Sequence, residues 1–246
     1  MDSSRLPSFN DLIPNQEEGT ATRFRLAFGQ ARTLSLPAQI ATQIGDRILD
    51  GRISAASWIR EQELASEFEV SRSPIREAMQ LLEREGLVLI HPRRGAQVTG
   101  LSVEHLVNLT EIRVALLGVV ARRTAELRDP IVLRTLDSGL EALARYVDGE
   151  GGGDTYAEIL SRLTLYCSAA IDNPPLLAMI VSLSLQMARY TRLGLSEPAR
   201  RRRSYQLWVE SVDAFRRGDS LTAQRLWELR LVENSAAIAE RLKAAA

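Results

Sequence analysis

The segment 61–99 constrains the fold of this chain more than any other part. It reads EQELASEFEVSRSPIREAMQLLEREGLVLIHPRRGAQVT, with helically spaced apolar residues followed by β-rich runs. Leu64, Ala65 and Phe68 predict a first short helix with one apolar face. A second helix should begin at Ser71, because serine is a favourable N-cap and the nearby Pro74 is tolerated in a first helical turn.

The second helix is predicted to have two chemically different faces. Its core face repeats at helical spacing through Ile75, Met79 and Leu82, and Gly86 is suited to end it. Arg72, Arg76 and Gln80 fall on the opposite face. Two guanidinium groups one turn apart can bind a guanine edge bidentately or contact phosphates.

A hairpin should follow this helix. Two β-rich runs, 87–90 and 96–99, are separated by His91-Pro92-Arg93-Arg94-Gly95, where proline and glycine indicate a loop. Arg93 and Arg94 would lie at its tip, and arginine suits the negative potential of a narrow minor groove. Either feature alone is commonly just a solvated surface. Together, in this order, they predict a winged helix-turn-helix that binds DNA.

These residues carry a family resemblance. Residues 36–99 resemble the DNA-binding domain of the GntR family of bacterial transcriptional regulators. The matching motif runs through 61–64, 70–74, 76–78, Leu82, 85–87 and 94–95. The resemblance implies that Arg72, Ser73 and Arg76 contact bases and phosphates, and that Arg94 and Gly95 form the wing tip. The family usually has arginine where this chain has Gln62, so a different operator or a weaker affinity is expected.

Length and residue pattern together predict the domain organisation. A chain of 246 residues is long enough for two domains. The pattern predicts a flexible leader at 1–33, a DNA-binding domain at 34–100 and a second domain at 101–246. Net charge is zero, and residues 36–99 hold eight arginines against nine acidic residues, so any positive surface must be local. A single cysteine, Cys167, and the lack of a signal peptide or membrane span favour a bacterial cytoplasmic protein.

The second half predicts an all-α bundle, which makes the fold mainly α. Apolar periodicity and breakers such as Asn173-Pro174-Pro175 and Gly218-Asp219 define about six helices. They are expected at 102–128, 129–147, 156–171, 176–195, Pro198–Arg217 and 220–242. This half resembles the FCD type of GntR effector domain, through 111–113, 173–174 and 217–219. The resemblance implies a bundle that binds small organic acids and pairs two subunits.

Most domains of that type hold a divalent metal through one aspartate and three histidines. The resemblance places these four ligands at Leu160, Thr164, Trp208 and Arg230, none of which can serve as the expected ligand. The chain has only two histidines, His91 and His105, so no multi-histidine site can be built beyond them. We therefore expect a metal-free effector domain without a cofactor.

Arginine offers a substitute for the metal. Arg230, with Arg113 or Arg189, is expected to bind an acidic effector, since a guanidinium binds carboxylates bidentately. The remaining pocket residues would be Thr164, Tyr166, Gln186 and Trp208. The alternative is that Arg230 is a surface residue and Trp208 a core residue. The run 200–203, four arginines, is expected to be a solvated face or an interdomain contact, and Cys167 a small buried residue.

The leading functional interpretation is a one-component regulator, more often a repressor in this family. A homodimer would bind a palindromic operator in double-stranded DNA, and a small acidic metabolite would change the placement of the two DNA-binding domains. A DNA-binding protein whose bundle only dimerises remains the alternative. An enzyme is disfavoured, because the sequence shows no nucleophile–base pair, phosphate loop or metal cluster.

Overall fold

The computed structural model describes residues 34–149 and 152–244. The expected leader, 1–33, lies outside the described residues. Residues contact one another mainly within two compact units of the chain. Within the described residues, the head unit comprises 34–101 with Val181–Arg189, and the helical unit comprises Ser102–Ile180 with 190–244. The structure is mainly α-helical, as the sequence predicts.

The head unit contains a winged helix-turn-helix. Its elements are α1 (Leu36–Leu49), β1 (Trp58–Ile59), α2 (Glu61–Glu67), α3 (Arg72–Arg84), β2 (Val88–His91) and β3 (Gly95–Val98). The predicted hairpin is confirmed with each strand shifted by one residue, and its register pairs Val88 with Val98. Strand β1, which the residue pattern does not predict, adds a third antiparallel strand on the other side of β3.

Apolar faces of α1 and α3 form the core of the head unit. Ile40, Ile44 and Ile48 of α1 are fully or almost fully buried, as are the three core-face residues predicted for α3. The same cluster includes Leu185 and Ala188, from the Val181–Arg189 segment of this unit.

The ends of α3 follow the sequence signals only in part. Ser71 occupies the N-cap position, but its side chain makes no cap hydrogen bond, so the expected hydroxyl cap is not formed. At the other end Gly86 has φ +70. Its N–H donates to the Glu83 carbonyl, and the Leu87 N–H donates to the Leu82 carbonyl at 2.9 Å, a pair of bonds that closes the helix and turns the chain into the wing.

The helical unit contains the six helices that the sequence predicts. They are α4 (Val103–Leu127), α5 (Pro130–Ala144), α6 (Gly153–Ala170), α7 (Pro174–Gly194), α8 (Pro198–Arg217) and α9 (Ser220–Ala244). Side-chain caps start three of them: Ser102, Asp129 and Asn173 each accept a backbone N–H from the first turn. The head-unit segment Val181–Arg189 is the middle of α7.

An aromatic cluster and the buried Arg201 side chain stabilise the helical unit. The Trp227 ring lies edge-on to Trp208 and Phe215, with centroids 5.3 and 5.9 Å apart. Arg201 is 1% exposed and donates to five backbone carbonyls. These carbonyls belong to Tyr146, Val147, Gly149, Leu195 and Ser196, which follow the ends of α5 and α7.

Candidate DNA-binding face and cationic cavity

Helix α3 exposes the face on which the sequence predicts DNA contacts. Arg72, Ser73, Arg76 and Gln80 are all exposed, whereas Ile75 and Met79 on the other face are fully buried. This amphipathic division follows from core residues spaced three or four apart on a helix.

The two arginines of this face contact side chains of α2. The Arg72 Nη2 donates to the Gln62 Oε1 at 2.9 Å. The Arg76 Nη2 lies 3.4 Å from the Glu61 Oε2, in an ion pair whose arginine is 64% exposed. These two contacts place the Gln62 and Glu61 side chains of α2 beside the arginines of α3. The hydroxyl of Ser73 donates to the Glu77 Oε1 at 3.3 Å.

The wing tip depends on two left-handed backbone positions. Arg93 has φ +66 and Gly95 has φ +92, and both Arg93 and Arg94 are exposed. A Cβ at Gly95 would lie 2.7 Å from the Ile59 carbonyl oxygen, so the close approach of β1 requires glycine there. The wing therefore holds two arginine side chains in solvent on a tightly constrained turn.

A cavity opens within the helical unit. Its empty space, counted together with the part that is open solvent, is about 470 Å³. Five helices contribute to its wall, together with Leu195 just after α7. The lining residues are Arg113, Leu160, Thr164, Thr191, Leu195, Arg200, Arg203, Ser204, Leu207, Arg230, Leu231, Glu233 and Asn234.

Arg230 is the most buried charged side chain of this wall, with 6% exposure. Its guanidinium carbon lies 4.5 Å from the Trp208 ring centroid and 4.9 Å from that of Trp227. Burial, together with the positive charge of Arg113, lowers the pKa of Arg230 to about 9, so it remains charged at neutral pH. The Nε of Arg230 has no hydrogen-bond partner within the described residues.

The charge of the wall is strongly unbalanced. Four arginines line the cavity, whereas Glu233 is the one carboxylate among the lining residues. Arg203 binds that carboxylate through two nitrogens, at 2.9 and 2.8 Å, and thereby lowers the pKa of Glu233. The buried Nε of Arg200 has no hydrogen-bond partner in the part of the chain that the structure describes. The cavity can therefore attract an anion.

The structure brings together three of the residues expected in an effector pocket and separates the other four. Arg113, Thr164 and Arg230 line the cavity. Trp208 is fully buried beneath the Arg230 guanidinium and supports it from outside the lining. The expectation that Arg230 could be a surface residue is wrong, because it is buried.

Tyr166, Gln186 and Arg189 do not line the cavity. The Tyr166 hydroxyl accepts a hydrogen bond from Thr135 at 3.2 Å. Gln186 packs beside Gly86 in the head unit, and Arg189 donates there to the carbonyl and hydroxyl oxygens of Thr99, both at 2.8 Å. Helical spacing alone could not reveal that the middle of α7 packs against the wing.

Sequence reasoning missed Arg200 and Arg203, which it assigned to a solvated or interdomain run. In the structure both line the cavity, Arg201 is buried, and only Arg202 is an exposed side chain, paired with Asp148. A usable signal was present: Arg200 and Arg203 lie seven and four residues before Leu207, on one face of α8 with an apolar residue.

The residues at the family's metal-ligand positions do not fit a metal ion. Three of the four positions, Leu160, Thr164 and Arg230, line the cavity, but they offer one hydroxyl and a cation. The neighbouring Glu233 is engaged by Arg203. Within 34–149 and 152–244 no group of three histidine, cysteine, aspartate or glutamate side chains could hold a metal.

Burial raises the pKa of the Cys167 thiol to about 12, which leaves it unreactive.

A winged helix-turn-helix with an exposed arginine face, on the same chain as a helical unit that encloses a cationic cavity, defines a transcriptional regulator with a sensing domain. Family models support this class independently. The model for bacterial regulatory proteins of the gntR family matches residues 36–98, and that for the FCD domain matches residues 108–232. The chain belongs to the GntR family and carries an FCD domain. No helix among the described residues is long and apolar enough to span a bilayer.

Curated relatives are regulators too. The chain is 35% identical over 103 residues to the HTH-type transcriptional regulator YdhC of Bacillus subtilis, covering 42% of this chain and 46% of that protein. It is 28% identical over 140 residues to the gluconate operon transcriptional repressor of the same organism, covering 56% of each chain. The chain thus spans about half the length of these relatives.

Solved structures share the fold. Escherichia coli McbR/YncC superposes with a TM-score of 0.69 at 20% identity, covering 85% of this chain and all of that one. A putative GntR regulator from Rhodococcus sp. RHA1 gives a TM-score of 0.64 at 19% identity, covering 82% of this chain and 96% of that one. At these identities the likeness shows the fold alone.

Proposed function

We propose that this protein is a transcriptional repressor that binds a palindromic operator as a homodimer and responds to a small acidic metabolite in a metal-free cavity. The observation that carries the proposal is the exposed face of α3, where Arg72 and Arg76 project beside an arginine-tipped wing. The name of the Bacillus subtilis gluconate operon repressor supports repression as the mode of action.

DNA recognition would divide between α3 and the wing. Arg72, Ser73 and Arg76 would contact base edges and phosphates in the major groove, with Gln62 adding a neutral hydrogen bond. Arg93 and Arg94 would enter the adjacent minor groove, on the turn that Gly95 permits. Because the basic surface is local, two half-sites bound together would supply much of the affinity.

The cavity would sense the metabolite through charge. Arg230, whose buried Nε has no hydrogen-bond partner among the described residues, would gain an acceptor when an acidic ligand enters, with Arg113 and Thr164 on the same wall. A ligand that binds one arrangement of the dimer more tightly than another shifts the population toward it, so operator affinity changes.

A second candidate is a regulator whose helical unit only dimerises. It is favoured by the loss of the metal donors at Leu160, Thr164, Trp208 and Arg230. The cationic cavity favours the sensing function instead, since burying an unpaired charge is costly in a unit that binds nothing.

The test begins with selection of operator fragments from a random DNA library by the full-length protein. Affinity is then measured by fluorescence anisotropy at two salt concentrations. We expect the double variant Arg72→Ala/Arg76→Ala to lose roughly 100-fold or more in operator affinity, because each arginine contact to a base contributes about 1–3 kcal/mol of binding free energy. The matched control is Arg84→Ala, an exposed arginine in the last turn of α3. Equal affinities of the double variant and the control would refute the proposed DNA face.

A further inference from the structure

The geometry points to a small dicarboxylate as the ligand of the cavity, with one carboxylate on Arg230 and the other on Arg200. This inference rests on the proposed function and narrows the class of metabolite. It follows from three features of the wall: a guanidinium held in place by two rings, a second arginine whose buried Nε has no hydrogen-bond acceptor among the described residues, and apolar side chains between the cations.

Arg230 is a preorganised binding group. Two indole rings lie against its guanidinium, which holds the group in place and stabilises its charge without neutralising it. Its Nε retains an unmet donor while the side chain is 94% buried. A carboxylate at the cavity edge of this guanidinium would supply the missing acceptor with little ordering of the arginine.

Arg200 provides a second position for an anion. It lies on α8, one helix away from Arg230 on α9, and its buried Nε also has no acceptor among the described residues. Its neighbour Arg203 is already bound by Glu233 through two hydrogen bonds. The negative charge of Glu233 also acts on Arg200, but the Nε of Arg200 donates no hydrogen bond to that carboxylate.

The charge balance favours two acidic groups over one. After Glu233 neutralises Arg203, the positive charges of Arg200 and Arg230 remain on the wall, and each of these side chains has an Nε without a hydrogen-bond partner among the described residues. A monocarboxylate could satisfy the donors of Arg230 or of Arg200, but would leave the other Nε unbonded. A dicarboxylate satisfies both, and the unmet donors of a buried polar group are costly.

Apolar lining residues favour an organic dianion over inorganic phosphate. Four leucines, Leu160, Leu195, Leu207 and Leu231, lie on the wall among the cations. Methylene groups between two carboxylates would contact these side chains, whereas phosphate has no apolar part to bury.

Calorimetry and thermal shift on the full-length protein test this inference at constant ionic strength. The probes are malonate, succinate and glutarate, each compared with the monocarboxylate of equal carbon number (propionate, butyrate and valerate), and inorganic phosphate. We expect the best dicarboxylate to bind about ten-fold or more tightly than its monocarboxylate match, from the added charge-assisted hydrogen bonds.

Variants then assign each carboxylate to its arginine. Arg200→Gln should remove the advantage of the dicarboxylate and leave monocarboxylate affinity unchanged, whereas Arg230→Gln should abolish binding of both. Arg202→Gln is the matched control, because Arg202 is exposed on the same helix and bound to Asp148. Circular dichroism verifies folding, and the half-buried Arg200 carries the test if Arg230→Gln fails to fold.

The outcomes separate this inference from the proposed function. Equal affinities for dicarboxylates and monocarboxylates, or an Arg200→Gln variant that still prefers dicarboxylates, would overturn the dicarboxylate assignment and leave an acidic effector in place. Phosphate binding as tightly as the best dicarboxylate would overturn it as well. Failure of every anion to bind would also refute the effector part of the proposed function.

Discussion

Replacement of Arg201 by methionine should destabilise the helical unit strongly, whereas the same change at Arg202 should not. The two arginines are neighbours on α8 with opposite environments. Arg201 is buried and donates to five backbone carbonyls. Arg202 is 61% exposed and pairs with Asp148, whose side chain is 70% exposed. Methionine keeps similar length and helix propensity in both variants.

The expected size follows from the hydrogen bonds lost. A hydrogen bond to a charged group contributes about 1.5–3 kcal/mol, and each buried carbonyl left without its donor adds a penalty. Removal of the charge returns part of its desolvation cost, so we expect a net loss of about 3–5 kcal/mol for Arg201→Met. Arg202→Met should lose about 1 kcal/mol or less, because exposed ion pairs contribute little.

Urea and thermal unfolding followed by helical circular dichroism measure both variants. For a chain of this size, each kcal/mol lowers Tm by roughly 2–4 °C, so Arg201→Met should melt roughly 6–20 °C lower. A loss of under about 1 kcal/mol for Arg201→Met, or equal losses for both variants, would refute the argument that the carbonyl bonds of this side chain hold the ends of α5 and α7 together.

Three further predictions concern the wing, the cavity and the metal. Gly95→Ala should lose about 1–3 kcal/mol of unfolding free energy, because its Cβ would meet the Ile59 carbonyl at a φ of +92, whereas Gly100→Ala, with nothing within 4 Å, should be near neutral; equal urea midpoints would contradict this. Arg203 lowers the pKa of Glu233 below 4.5, so the pair stabilises the fold above that pH and the contribution disappears as pH falls through the lowered pKa. The stability difference between wild type and Glu233→Gln, about 1 kcal/mol or less near pH 7, should therefore vanish in acid urea titrations, and a difference that grows in acid would contradict the assignment. After incubation with zinc or nickel and dialysis, elemental analysis should find no stoichiometric ion; one ion per chain, shown by spectroscopy to have protein ligands, would overturn the metal-free assignment.

Local signals explain why helix ends could be predicted so closely. Ser102, Asp129 and Asn173 cap their helices through contacts within three residues, so the sequence itself holds the information. Strand β1 shows the opposite case. Its two residues acquire their conformation by pairing with Gln97 and Ala96, nearly forty residues away, and no periodicity can be detected in two residues.

The same distinction separates the two candidate sites. The candidate DNA-binding face lies on one short helix and one hairpin, so a local motif is enough to predict Arg72, Arg76 and the wing arginines. The cavity is assembled from five helices, and its members are selected by how those helices pack. The family resemblance therefore indicated Arg230, whereas the residue pattern alone assigned Arg200 and Arg203 to a solvated face or an interdomain contact.

Glu61 and Gln62 give the arginines of α3 a partner before any duplex arrives. In the proposed complex, a phosphate or base edge would have to outcompete the Gln62 amide oxygen for Arg72 and the Glu61 carboxylate for Arg76. Any backbone phosphate brought close to Glu61 also meets a like charge. A random duplex would offer few acceptors to replace the lost contacts with Glu61 and Gln62, whereas a correctly placed guanine would offer two acceptors to one guanidinium. On the proposed function, Glu61 would therefore weaken binding to random duplex and contribute to discrimination between sites without contacting a base.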